Sequence, residues 1–134
     1  MIDSKKQDLG GHLVLIVDDD LRIRSYIRTI LQGASVEVLE AGDGLTALEV
    51  FRVWRNKIDL VITDIRMPRM SGTELAMSLR LDHPGIPLIF VSGDPVPADT
   101  IDSETGFLFI EKPFGPKVLL EAARQVFELI PAAG

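Results

Sequence analysis

Four stretches carry side chains that could do chemistry, and each stands close behind an apolar run. Asp18 and Asp19 follow Leu13–Val17, Asp64 follows Leu60–Ile62, Ser92 follows Ile86–Val91, and Lys112 follows Phe107–Ile110. Three carboxylates drawn into one place repel, and at least one would have its pKa raised. A hard divalent cation resolves that conflict. Mg2+ favours oxygen ligands, keeps several waters, and takes one or two protein carboxylates plus a phosphate oxygen. Beside such a Lewis acid, Asp64 would be an ionised nucleophile. Phosphoryl transfer then asks mostly for positioning and for neutralisation of the phosphoryl oxygens. Lys112 can supply a positive charge, and the Ser92 hydroxyl and nearby backbone N–H groups can donate hydrogen bonds. Gly93, without a side chain, leaves room for a phosphoryl group at the backbone.

These groups can meet only if the apolar runs are strands of one parallel sheet, whose carboxyl ends share an edge. The runs fit that requirement. They are continuous rather than alternating, as suits strands covered on both faces. Five are expected: Leu13–Val17, Val36–Leu39, Ile58–Thr63, Ile86–Val91 and Phe107–Ile110. Pro68 ends ladder pairing beyond Asp64, because it has no N–H to donate.

Helical spacing fills the intervals. Ile23, Ile27, Ile30 and Leu31 form one stripe, with Arg22, Arg24 and Arg28 on the wet side and Gly33 ending the helix. Gly42-Asp43-Gly44 turns into a second helix in which Ala47, Leu48, Phe51 and Trp54 share a face. Ser71-Gly72 opens a third, with Leu75, Ala76 and Leu79 inward, and Asp82–Gly85 breaks it. The last carries Leu119, Ala122, Ala123, Val126, Phe127 and Ile130 to a stop at Pro131. Alternating strands and helices with crossover spacing give a doubly wound α/β sheet. Residues 1–11 read as a flexible leader or linker, and 12–131 as one domain.

Composition removes other classes. At 134 residues the chain fits one domain with a real core. It has no cysteine, which excludes disulfides, thiol nucleophiles and Cys-based zinc sites. His12 and His83 are too few and too far apart for a His-rich metal site. A net charge of −6 with no basic stripe argues against direct nucleic-acid binding and against a polybasic membrane anchor. No apolar run has the length of a membrane span, and no signal-peptide core opens the chain, so the cytoplasm is the expected compartment.

Taken singly, each residue has a plainer reading. Asp18 and Asp19 could be a turn and a helix start, and Asp20 is assigned to a helix N-terminus, where negative charge suits the dipole. Ser92 could be a turn hydroxyl and Lys112 a solvated side chain before a proline turn. Their conjunction on successive strand ends is what carries weight.

That conjunction resembles the receiver domain of two-component response regulators (the CheY-like superfamily). The matching pieces are Val17-Asp18-Asp19-Asp20, Asp64-Ile65-Arg66-Met67-Pro68, Ser92-Gly93 and Lys112-Pro113-Phe114, and the likeness runs from about Leu13 to Ile130. The resemblance implies a flavodoxin-like doubly wound five-stranded parallel sheet, order 2-1-3-4-5, with helices on both faces. It implies that Asp64 accepts a phosphoryl group from a sensor histidine kinase or a histidine phosphotransfer domain. Asp19, Asp64 and the backbone carbonyl of Arg66 would bind Mg2+, with Asp18 acting largely through a metal-bound water. Lys112 would pair with Asp64 and then with the phosphoryl group, and Ser92 would swing in to bond it. Phe109 stands where a switch aromatic follows that movement; lacking a hydroxyl, it could signal only by packing. Arg66 and Asp94 hold positions that tune the lifetime of the acyl phosphate. The interval from Ser92 to Lys112 departs from the pattern: it is short and carries Pro95 and Pro97, so a fourth helix there is expected to be short or irregular. With so little chain after Ile130, a stand-alone receiver or one excised from a larger response regulator or hybrid kinase is expected, with the downstream protein partner left open.

Two other function classes share parts of this signature. A phosphatase of the haloacid dehalogenase type would use Asp18-x-Asp20, but that motif wants a small residue where Arg22 stands, and no cap domain is evident. A pseudo-receiver would be a binding module without phosphorylation, against which the full set of acids, Ser92 and Lys112 argues. Flavodoxin-like cofactor binding lacks its phosphate loop after the first strand.

Overall fold

The structure is a computed structural model that describes residues 8–94 and 107–129. Five parallel strands form one sheet: β1 (Leu13–Val17), β2 (Glu37–Ala41), β3 (Leu60–Asp64), β4 (Leu88–Ser92) and β5 (Phe107–Glu111). Their order is β2-β1-β3-β4-β5, as the resemblance implied. Four helices are described: α1 (Leu21–Gly33), α2 (Gly44–Trp54), α3 (Gly72–Asp82) and α4 (Pro116–Leu129). The expected fourth helix, between β4 and β5, lies outside the described residues.

The continuous apolar runs have the cause inferred for them. Val14 and Ile16 pack with Ile27, Leu31, Leu119, Ala123 and Val126 on the α1/α4 face. Leu15 and Val17, one residue out of phase, pack with Ala47, Phe51, Leu75 and Leu79 on the α2/α3 face. Both faces of each inner strand are therefore covered, and β3 and β4 are buried along their whole length.

Three strands begin later than their apolar runs and end later too. Val36, Ile58 and Ile86 are buried but lie before β2, β3 and β4, where they fill space under the sheet without joining the ladder. At the other end the ladder continues through polar residues. Asp64 pairs with Val91, and Ser92 with Glu111. Asp64 and Ser92 thus belong to the strands themselves, whereas Asp18, Asp19 and Lys112 stand just past the ends of β1 and β5.

Helix starts follow local chemistry. Asp20, Asp43 and Ser71 are N-caps, each accepting a backbone N–H in the first turn. Ser71 and Glu74 complete a reciprocal capping box. α1 ends at Gly33, as expected, although Gly33 does not itself take the left-handed cap. Ser35 instead takes the left-handed conformation (φ 69°) that closes the helix. Trp54, expected inward, sits at the last position of α2 and is 41% exposed, because the helix turns its Ala47 and Phe51 side to the sheet.

Candidate functional site

At the carboxyl edge of the sheet, one carboxylate oxygen each from Asp18, Asp19 and Asp64 lies within 4.8 Å of the others. Lys112 Nζ stands 3.6 Å from Asp18 Oδ2 and 3.6 Å from Asp64 Oδ2. The two acids on adjacent inner strands are brought side by side by the β1–β3 pairing, in which Val17 faces Thr63. Lys112 arrives from the sheet edge, where its N–H donates to the Ser92 carbonyl at 2.7 Å and carries the turn after β5 over β4. Its peptide bond to Pro113 is cis.

The loop after β3 is drawn tightly back against the strand. Ile65 N–H donates to the Val91 carbonyl, and Gly72 N–H donates to the Ile65 carbonyl at 2.8 Å. A Cβ on Gly72 would stand 2.1 Å from the Asp64 backbone oxygen, so only glycine lets α3 begin so close. Met70 similarly fills the space above Gly44. Arg69 sits in the same loop at φ 69°, a left-handed conformation uncommon for a long side chain.

Electrostatically the site is poised. Burial raises the pKa of Asp18, and the Asp64 and Asp19 charges add to that rise, against the Asp20 N–H and Lys112, which lower it. Burial also raises the pKa of Asp64, opposed by Lys112 and by the backbone N–H groups of Arg66 and Ile65. Asp18 Oδ1 accepts the Asp20 N–H at 2.9 Å, whereas Oδ2 is buried without a hydrogen-bond partner among the described residues. A buried, unpartnered carboxylate oxygen beside two further carboxylates is a donor set that suits a hard divalent cation.

The remaining expected residues take distinct places. Ser92 is buried, and its hydroxyl both accepts the Asp94 N–H and donates to the Asp94 carbonyl, so it is engaged in its own turn. A Cβ on Gly93 would meet no atom of the described residues within 4 Å. The Arg66 side chain pairs with Asp94 at 2.7 Å, both well exposed, linking the loop after β3 to the turn after β4. Phe109 is half-buried and stacks on Phe90, ring centroids 5.1 Å apart.

Arg24 is a correction. Expected on the wet face of α1, it donates from Nη1 to the Asp18 carbonyl at 2.7 Å and from Nε to Glu40 at 3.1 Å. Glu40 lies in β2, one residue before the strand ends at Ala41. The missed signal was spacing: Arg24 lies three and seven residues before Ile27 and Leu31 and so borders the buried stripe.

Residues 14–124 match the response regulator receiver domain family. The sensor kinase CckA of Brucella abortus is 35% identical over 93% of this chain and 14% of its own length. The DNA-binding response regulator MtrA of Mycobacterium tuberculosis is 33% identical over 83% of the chain and 48% of its own. This chain therefore spans about half or less of these curated relatives. Among solved structures, the Vibrio cholerae chemotaxis protein CheY4 superposes with a TM-score of 0.77 at 31% identity, covering 86% of this chain and 98% of that one. The receiver domain of the hybrid histidine kinase CckA gives 0.71 at 34%, covering 85% and 97%. With the strand order, the acidic edge and these likenesses in agreement, the chain belongs to the response regulator receiver domains, a family of signalling domains.

Proposed function

We propose that this chain is a phosphorylation-switched receiver whose phosphoacceptor is Asp64. The observation that carries the reading is the cluster itself: three carboxylates within 4.8 Å of one another, with one ammonium 3.6 Å from two of them. Asp18, Asp19, Asp64 and the Arg66 carbonyl would hold Mg2+, which when bound neutralises phosphoryl oxygens as a Lewis acid. The Asp64 carboxylate attacks phosphorus in line. The bond from phosphorus to the donor imidazole breaks, and the imidazole nitrogen keeps the electron pair. Lys112, already shared between Asp18 and Asp64, moves its charge onto the incoming phosphoryl oxygens. Ser92 exchanges its Asp94 contacts for the phosphoryl group, and Phe109 repacks along β5. The donor is a phosphohistidine of a sensor histidine kinase or a histidine phosphotransfer domain, in the cytoplasm. The chain turns over no metabolite, only its own phosphorylation state.

The phosphatase reading loses its second acid, because Asp20 Oδ1 is the helix cap that accepts the Arg22 N–H at 2.9 Å. The test is incubation with Mg2+ and acetyl phosphate, followed by mass measurement. The expected result is one base-labile phosphoryl group, absent from Asp64→Asn and absent in EDTA. Labelling that persists in Asp64→Asn, or sustained hydrolysis of many phosphomonoesters, overturns the proposal.

A further inference from the structure

We infer that Arg24 is a positioning residue for the acidic site, holding Asp18 and Asp19 at cation-binding spacing before any cation arrives. The inference rests on the functional reading above and adds a part to it. Three contacts fix the Asp18 peptide. Its N–H donates to the Ala41 carbonyl of β2 at 3.2 Å, its Oδ1 accepts the Asp20 N–H, and its carbonyl accepts Arg24 Nη1 at 2.7 Å. That carbonyl belongs to the peptide joining Asp18 to Asp19, so its orientation also sets where Asp19 leaves the strand.

Arg24 is itself held. Its side chain is only 17% exposed, and Glu40 Oε1 accepts its Nε–H. The other Glu40 oxygen accepts Arg28 Nη1 at 2.6 Å. Burial works against the Glu40 carboxylate, but the two guanidinium groups outweigh it and keep Glu40 ionised below the usual range. Gly42 leaves the guanidinium its space, since a Cβ there would stand 3.3 Å from Nη1. The planar fork thus spans from the end of β2 to the carbonyl at the end of β1, a geometry that suits arginine better than lysine. Arg24 makes no ion pair with the three site carboxylates among the described contacts, so its effect is orientation rather than neutralisation.

Groups that orient metal ligands in this way typically change affinity by about 10–100-fold when removed. The test is Mn2+ titration, followed by the free-ion paramagnetic resonance signal, with urea unfolding as a check on folding. Arg24→Ala is expected to bind Mn2+ about 10–100-fold more weakly, and saturating Mg2+ is expected to restore its labelling at Asp64. Arg24→Lys is expected to recover part of the affinity, because an ammonium can still donate to the Asp18 carbonyl. Arg55→Ala, which loses a pair with Asp82 and touches neither Glu40 nor Asp18, is expected to keep wild-type affinity. Should Arg24→Ala fail to fold, Glu40→Gln decides: it loosens the Arg24 anchor and is expected to lower affinity in the same direction. Wild-type affinity in a folded Arg24→Ala or in that Glu40→Gln, or an equal loss in Arg55→Ala, overturns the inference alone. A wild-type protein that binds no Mn2+ overturns the functional reading and this inference together.

Discussion

Replacing Asp64 by asparagine should stabilise the cation-free protein while abolishing its labelling. Wild-type Asp64 faces Asp18 with oxygens no more than 4.8 Å apart, a repulsion of about 3.5 kcal/mol at an effective dielectric of about 20. Lys112 at 3.6 Å returns about 4.6 kcal/mol on the same scale. The two nearly cancel, Asp19 is exposed and screened, and what remains is the cost of burying the carboxylate, the largest influence on the Asp64 pKa. That remainder is of order 2 kcal/mol in favour of asparagine, after allowing for relaxation around a partly wet site. For a domain of this size it corresponds to about 6–10 °C in Tm.

The sign also fixes the pH dependence. Asp18 and Asp64 have folded pKa values above their unfolded ones, so their contribution to stability is fully present below the unfolded values and is lost as pH rises through the folded ones. The stabilisation by Asp64→Asn should therefore be largest near neutrality and shrink as the medium is acidified. Added Mg2+ should narrow it from the other side, since a ligand at 100 times its Kd stabilises the native state by about 2.7 kcal/mol. Urea unfolding in EDTA at pH 7.5 and pH 5, and again in Mg2+, tests all of this. An Asp64→Asn protein no more stable than wild type in EDTA at pH 7.5 would refute the electrostatic account of the site.

Two further substitutions test the backbone, one beside the site and one at the end of α1. Gly72→Ala should destabilise the protein by about 3 kcal/mol and weaken Mn2+ binding, because its Cβ would strike the Asp64 carbonyl oxygen; an unperturbed urea midpoint would show that α3 can retreat at no cost. Ser35→Gly should raise stability by about 0.5–1 kcal/mol, since it relieves a left-handed backbone at the end of α1, and thermal unfolding reads the change directly.

Much of the fold was legible because burial on both faces writes itself into the strands as unbroken apolar runs. The same logic blurred their limits. Ile58 and Ile86 are apolar because they plug the floor of the sheet, and they read as strand although the ladder starts two residues later. At the other end the apolar signal stopped short of Asp64 and Ser92, yet both pair in register with their neighbours. That Asp18, Asp19, Asp64 and Lys112 converge was legible from their place behind those runs. Arg24 was not, because a lone arginine on an amphipathic helix looks solvated until the partner strand is in place. Its acceptors, the Asp18 carbonyl and Glu40, lie on two different strands. Nor could spacing foretell that Ser92 would be turned into its own bend.

The registration of Asp64 within β3 has a consequence for timing. As the acceptor proposed above, Asp64 in the innermost strand, locked between two neighbours and roofed by helix layers above and below, would offer the phosphoryl group a stationary seat. Whatever moves would then be the fittings around that seat, the turns bearing Arg66 and Lys112 and the side chain of Ser92 at the end of β4. Evolution could reset the clock of such a device by exchanging those fittings, without ever disturbing the chassis on which the reaction is mounted.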